Sequence, residues 1–219
     1  MLADDLIRLY PRLFHVAEAG SWPQISRRGL LTSAQLCELY DVQEPQRRTH
    51  LAARRPAKSP LEHPAHGRAV LRDQGPLSTT KLAGCLADGM TVEQWLVALN
   101  GRVFFWLQEN RLDRMLKAYD EQDHDVLTVD TAGLVGAHQD RVRLSRINTG
   151  STAYLARPRG PGTFQRVEDY PHPARRRAVA AASDVAELCV LDGVPDIAKH
   201  VLRVERRHGL AVTSVLWER

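Results

Sequence analysis

Apolar residues along this chain recur at helical spacing mostly in the first half and alternate as strands mostly in the second. Ala3 to Tyr10 reads as a short helix stopped by Pro11, and Arg12 to Val16 as a strand that delivers His15. Ser21 is a suitable N-cap, Pro23 suits a first turn, and Gly29 ends the second helix after Arg27-Arg28. Thr32-Ser33 opens another helix to about Tyr40. Thr91-x-x-Gln94 is a capping box, and Val92, Trp95, Leu96 and Leu99 share one face of a helix over 91–99. Leu112, Met115, Leu116 and Tyr119 do the same over 109–119. Between them, Arg102 to Leu107 is short and aromatic and predicts a buried strand. Further strands are expected at Asp125 to Val129, Arg141 to Ile147, 185–191, 201–206 and near 211–217. Asp41 to Pro76, interrupted by Pro and Gly, predicts a long loop with one strand at Ala69 to Arg72. Thr149 to Pro173, also rich in Gly and Pro, predicts a mobile loop. These elements predict one α+β domain over 1–219, built on a mostly antiparallel sheet, with N-terminal helices and a helical insertion at 77–100.

Composition narrows the picture modestly. The 219 residues are 43% hydrophobic, enough for a substantial core, and no apolar run reaches the length of a membrane span. The acidic start, Met1-Leu2-Ala3-Asp4-Asp5, is unlike a secretory signal, so a soluble cytoplasmic protein is expected. Cys37, Cys85 and Cys189 are far apart in apolar surroundings and read as reduced core residues. Lys and Arg total 30 against 26 Asp and Glu, with arginines clustered at 47–55 and 175–177. That excess leans toward a polyanionic partner.

One residue breaks the apolar pattern. In Val185-Ala186-Glu187-Leu188-Cys189-Val190-Leu191 the lone carboxylate shares a face with Val185, Cys189 and Leu191. A carboxylate in a strand apolar on both faces is costly unless it is paired or lines a cleft. Glu187 is therefore either a functional group or one half of a structural ion pair. His15, just before a helix, reads more readily as a structural hydrogen-bonder than as a ligand contact. Arg47 and Arg48 form a solvated surface or a phosphate site, since the arginine fork matches a pyrophosphate. Asn148-Thr149-Gly150 is a plain turn or a set of small hydrogen-bonding groups. His63-x-x-His66 carries Pro64, which disfavours a helical metal pair, and no metal site is predicted. The Gly-x-Gly-x-x-Gly, Walker, Gly-x-Ser-x-Gly and His-Glu-x-x-His signatures are absent.

Four separated pieces together resemble the DarT-type ADP-ribosyltransferases, which use NAD to modify nucleic acid. Phe14-His15-Val16-Ala17-Glu18 through Gly29-Leu30-Leu31 is similar to the family's opening pattern, with Ala17, Ser21 and Trp22 replacing the usual Thr, Asn and Leu. Arg48, or its neighbour Arg47, resembles a downstream arginine, Val103-Phe104-Phe105 an aromatic strand, and Ala186 to Val190 with Val194-Pro195 the element that carries the family's glutamate. The resemblance implies an ADP-ribosyltransferase-like split sheet and NAD as co-substrate. It implies Glu187 and Arg48 as catalytic residues, with NAD held by His15, Ala17, Ser21, Arg47 and Phe105; by their own chemistry Arg102 is a further candidate for the pyrophosphate, and Asn148 and Thr149 for the nucleotide or acceptor. Of Phe105 and Trp106, which leave opposite faces of their strand, Phe105 is expected to stack on nicotinamide. DNA or RNA is the expected acceptor, a protein side chain the second choice, and an antitoxin a further partner of such an enzyme. Two other readings remain open: a noncatalytic nucleic-acid-binding module, and an NAD-dependent RNA 2′-phosphotransferase on a related scaffold.

Overall fold

The computed structural model describes residues 1–153, 156–171 and 185–219. The chain runs through α1 (Ala3–Leu9), β1 (Arg12–Glu18), α2 (Trp22–Arg28), α3 (Ser33–Leu39), α4 (Gln46–Ala52), β2 (Ser59–His63) and β3 (Gly67–Leu71). It continues through α5 (Thr79–Ala83), α6 (Val92–Asn100), β4 (Arg102–Phe105), α7 (Glu109–Ala118), β5 (Asp123–Asp130) and α8 (Thr131–His138). The last strands are β6 (Val142–Ser145), β7 (Glu187–Leu191), β8 (Val201–His208) and β9 (Ala211–Glu218). The result is an α+β architecture in which the strands form antiparallel sheets of order β1-β5-β8-β9, β4-β7-β6 and β2-β3.

The two larger sheets share one core. Leu13, Ala17, Leu127, Val129 and Val204 from the first pack in one cluster with Val103, Phe105, Val142, Leu144, Leu188 and Val190 from the second. Strand alternation makes this possible, since each sheet presents one apolar face. The sheets also touch edge to edge, where Phe14 and Trp106 exchange both backbone hydrogen bonds at 2.8 Å. That junction aligns β1 with the end of β4.

Capping explains the clear helices. Thr32 and Thr91 each accept from the backbone three residues on, at 3.1 Å, while Gln35 and Gln94 return the bond. Ser21 stands at the start of α2 without such a bond. Asp125 replaces it, accepting from Gly20 N at 2.9 Å and Trp22 N at 3.1 Å.

Two stretches differ from expectation. Asp41 to Pro76 is not one long loop, because it holds α4 and the β2–β3 hairpin, whose turn uses Gly67 at φ 69°. Helix α8 was not foreseen, because glycines interrupt its apolar pattern. Gly133 is needed there, since a Cβ would lie 2.9 Å from His200 Nδ1. The 77–100 stretch is two helices, α5 and α6, which bury Leu82, Trp95, Leu96 and Leu99 in a separate cluster against Phe104 and Phe164. The segment after Thr149 is anchored where it is described: Ser78 N donates to Thr152 Oγ1 at 2.7 Å, and Gln165 pairs with Leu144. Arg175-Arg176-Arg177 lie outside the described residues.

Candidate functional site

Three of the four pieces singled out in the sequence come together. β4 pairs with β7 from Arg102–Leu191 to Phe105–Leu188, and β1 joins β4 through the Phe14–Trp106 bridge. The end of α2 is tied to the loop after β7, where Leu30 and Val194 exchange backbone bonds of 2.9 and 2.8 Å. Gly29 permits this approach: at φ 87° it adopts a backbone open to few side chains, and a Cβ would lie 2.5 Å from Pro195 Cα.

Glu187 begins β7. Its register partner on β6 is Ser145, and the β4 register continued by one residue sets it opposite Trp106. Directly paired residues share a face, so Glu187 lies with Arg102, Phe104, Trp106, Arg143, Ser145 and Cys189, away from the common core. Phe104 on that face packs under α5 and α6, whereas Trp106 packs with Leu112, Met115 and Leu116 of α7. Glu187 thus sits at the seam between two small apolar clusters.

It is 6% exposed, and burial pushes its pKa up to about 7. Two bonds oppose that rise, from Thr149 N at 3.0 Å and Thr149 Oγ1 at 2.7 Å, and both fall on Oε2. More distant positive charge from Arg111 and Arg159 opposes it weakly. No ion pair reaches Glu187 among the described residues. Arg159 instead holds the loop: its guanidinium donates to the carbonyls of Thr149, Arg157 and Ser151 at 3.0 to 3.2 Å.

His15 occupies a different side. Its ring lies 5.6 Å from that of Phe105, and Nδ1 is 2.9 Å from the Phe104 carbonyl. A carbonyl only accepts, so Nδ1 carries the proton and Nε2 is left as an acceptor. Burial, aided by the nearby Arg72 charge, lowers the His15 pKa to about 4, so the ring is neutral at pH 7. Among the described residues no contact joins His15 to Glu187; β4 separates them.

The remaining expected residues divide. Thr149 is on the site, as Glu187's donor, and Asn148 is half-buried beside it. Arg102 shares the Glu187 face, but its Nη1 donates to Ala98 O and its guanidinium covers the Phe164 ring at 4.3 Å. Phe105 is corrected as the stacking aromatic: it is 1% exposed, sealed in the common core, and Trp106 is the ring on the Glu187 side. Ala17 is likewise a core residue whose backbone belongs to the β1–β5 ladder. Ser21 is half-buried at the start of α2. Arg48 pairs with Glu93 at 2.9 Å on the surface, and half-buried Arg47 lies on the same helix, so neither is brought to Glu187 or His15.

Arg72 is the arginine that adjoins His15. It follows β3, covers the Tyr119 ring at 5.2 Å and lies 3.3 Å from His124 Nδ1, while its buried Nη2 has no partner among the described residues. The sequence offered only its place at the end of an expected strand. Arg111 and Arg159 gave no sequence signal.

A second polar cluster lies at the far end of β7. His138 Nε2 is 2.7 Å from Asp196 Oδ1, and His200 Nε2 is 3.3 Å from Oδ2. These three could hold a metal ion by proximity. However, Arg141 Nη2 lies 2.6 Å from His138 Nδ1 and can only donate. The proton therefore sits on Nε2, pointing to Asp196, and the lone pair a metal needs there is occupied. The cluster is a hydrogen-bonded clasp. No helix among the described residues is long and apolar enough to cross a membrane.

No curated protein matches this chain. A family defined by sequence matches residues 11–201, from the residue before β1 to the first residue of β8. The chain belongs to that family, described as a family of unknown function, DUF7002.

Proposed function

We propose that the protein is an ADP-ribosyltransferase that cleaves NAD at the nicotinamide glycosidic bond and passes ADP-ribose to a nucleic-acid base. The observation that carries this reading is Glu187: a buried carboxylate at a strand end, held on one oxygen by Thr149 and with its pKa near 7. The meeting of β1, β4, β7 and the Leu30–Val194 bridge supports it, because the pieces that resemble the DarT-type enzymes adjoin in the order a split antiparallel sheet requires.

In the reaction the bond between ribose C1 and the nicotinamide nitrogen breaks, and nicotinamide leaves with the bonding pair. Positive charge develops on the ribose, as in glycoside cleavage, and an ionised Glu187 stabilises it. The acceptor then bonds to C1, and its proton passes to the Glu187 carboxylate. A pKa near 7 suits that exchange. Neutral His15 lies across β4 from Glu187 and holds the Phe104 carbonyl rather than the ribose. Trp106 replaces Phe105 as the aromatic wall.

The test is incubation of wild-type protein and Glu187→Gln with labelled NAD and DNA, RNA or protein acceptors. Nicotinamide release and label transfer are followed together. The expected result is turnover that depends on Glu187, with label on nucleic acid. Full activity in Glu187→Gln, or no use of NAD by the wild type, sinks the reading.

A further inference from the structure

Next to the Glu187 ladder is a cleft of about 390 Å³, bounded chiefly by Ser145, Arg146, Arg157, Arg159, Gln165 and Tyr170. It is tied to the carboxylate on two sides: Ser145 is Glu187's register partner, and Arg159 grips the Thr149 carbonyl while Thr149 holds Glu187. The volume falls within the range of small-molecule sites.

Its charge is unbalanced. Arg159 is buried and its donors are committed to backbone carbonyls, so it braces the wall. Arg146 and Arg157 are exposed, and neither meets a carboxylate among the described residues. Arg146 is steadied over the Tyr170 ring at 5.5 Å. Asp88 also borders the cleft and offsets one of these charges, leaving positive charge in excess. The second oddity is Gln165. Its backbone is paired with Leu144 in both directions, at 3.0 and 2.8 Å, but its buried Oε1 accepts nothing among the described residues. An acceptor without a donor beside two free guanidinium groups matches a ligand with an anionic end and a hydrogen-bond donor.

We propose that this cleft binds a nucleoside monophosphate unit, with its phosphate on Arg146 and Arg157 and a base or ribose donor on Gln165 Oε1. The inference deepens the transferase reading by giving the acceptor its seat, and rests on that reading for the purpose of binding. The binding itself needs no NAD.

The experiment therefore uses full-length Glu187→Gln protein without NAD. A fluorescein-labelled single-stranded DNA ten-mer is titrated by anisotropy across a salt series, with AMP and inorganic phosphate as competitors. The Arg146→Ala/Arg157→Ala double variant is expected to weaken ten-mer binding at least tenfold. It should also lower the salt slope by about 1.4, the value for two phosphate contacts on a single strand. Arg146→Lys/Arg157→Lys should restore most of the affinity. Gln165→Leu should weaken AMP but not inorganic phosphate. Competition by AMP identifies a free nucleotide as sufficient, whereas binding of the strand alone identifies a phosphodiester, and either is expected to be lost in the double variant. Thermal melting of each variant checks the fold. Failure to bind the ten-mer and AMP, or binding indifferent to both arginines, overturns the proposal. Because NAD is absent, failure of the transferase chemistry leaves this result readable by itself.

Discussion

Asp125 and Glu187 are both buried carboxylates, and they are treated in opposite ways. Asp125 on β5 is fully buried and saturated: one oxygen accepts from Gly20 N and Trp22 N, the other from Arg206 Nε at 2.6 Å. Glu187 on β7 has both bonds on one oxygen and no ion pair among the described residues, and burial pushes its pKa to about 7. Burial alone therefore does not mark a working group. What separates the two is whether the surroundings have already met the charge.

The largest effect that would break this contrast is on stability at Asp125. Asp125→Ala leaves Arg206 and two backbone donors without their acceptor, and should cost about 3–5 kcal/mol in urea unfolding. A loss under 1 kcal/mol would erase the distinction. Glu187→Gln should instead lower nicotinamide release by about 10²–10³-fold, the range for losing a group that meets developing charge.

The same variant sharpens the contrast through pH. The Glu187 pKa is raised on folding from 4.5 to about 7, so the folded state holds its proton more tightly. Its contribution to stability is full below pH 4.5 and is lost as pH rises to about 7, an interval worth roughly 3 kcal/mol. Glu187→Gln escapes that loss. It should match wild type near pH 4 and melt higher at pH 8, by roughly 2–4 °C per kcal/mol. Equal melting at both pH values would mean that Glu187 is satisfied like Asp125.

Smaller effects follow at the edges of the site. Thr149→Val removes the hydroxyl donor that lowers the Glu187 pKa, so the rising limb of the pH–rate profile should move to higher pH, with a stability loss of about 1 kcal/mol. A profile unchanged in position would place the acid–base group elsewhere. Arg48→Ala should change stability by less than about 1 kcal/mol, since the exposed pair with Glu93 is weak. It should also leave NAD turnover near wild type, and a collapse in turnover would restore Arg48 to the site.

The legible parts of the sequence were those where local pattern and tertiary role agree. Glu187 could be found because a charge inside an apolar strand is a local anomaly, and α6 because its capping box is contiguous. The β4 strand was visible, but its useful face was not, because alternation says which residues differ and not which side is covered. That choice depends on α7 and the common core, and it exchanges Phe105 for Trp106. Arg72 and Arg159 act through contacts across long stretches of chain, which periodicity does not encode. Arg48 was favoured because basic runs are conspicuous, yet in the structure it makes an exposed ion pair.

The Asp125–Arg206 pair has a consequence for how the chain is made. The loop into α2, near residue 20, is held by a carboxylate at 125 that depends in turn on a guanidinium at 206. Strand β1 must wait for β5, and β5 for β8. During synthesis the first strand thus remains without β5 until residue 130 has emerged, and β5 without β8 until residue 208. Such distant pairing makes folding slow and leaves apolar strand faces uncovered in the growing chain.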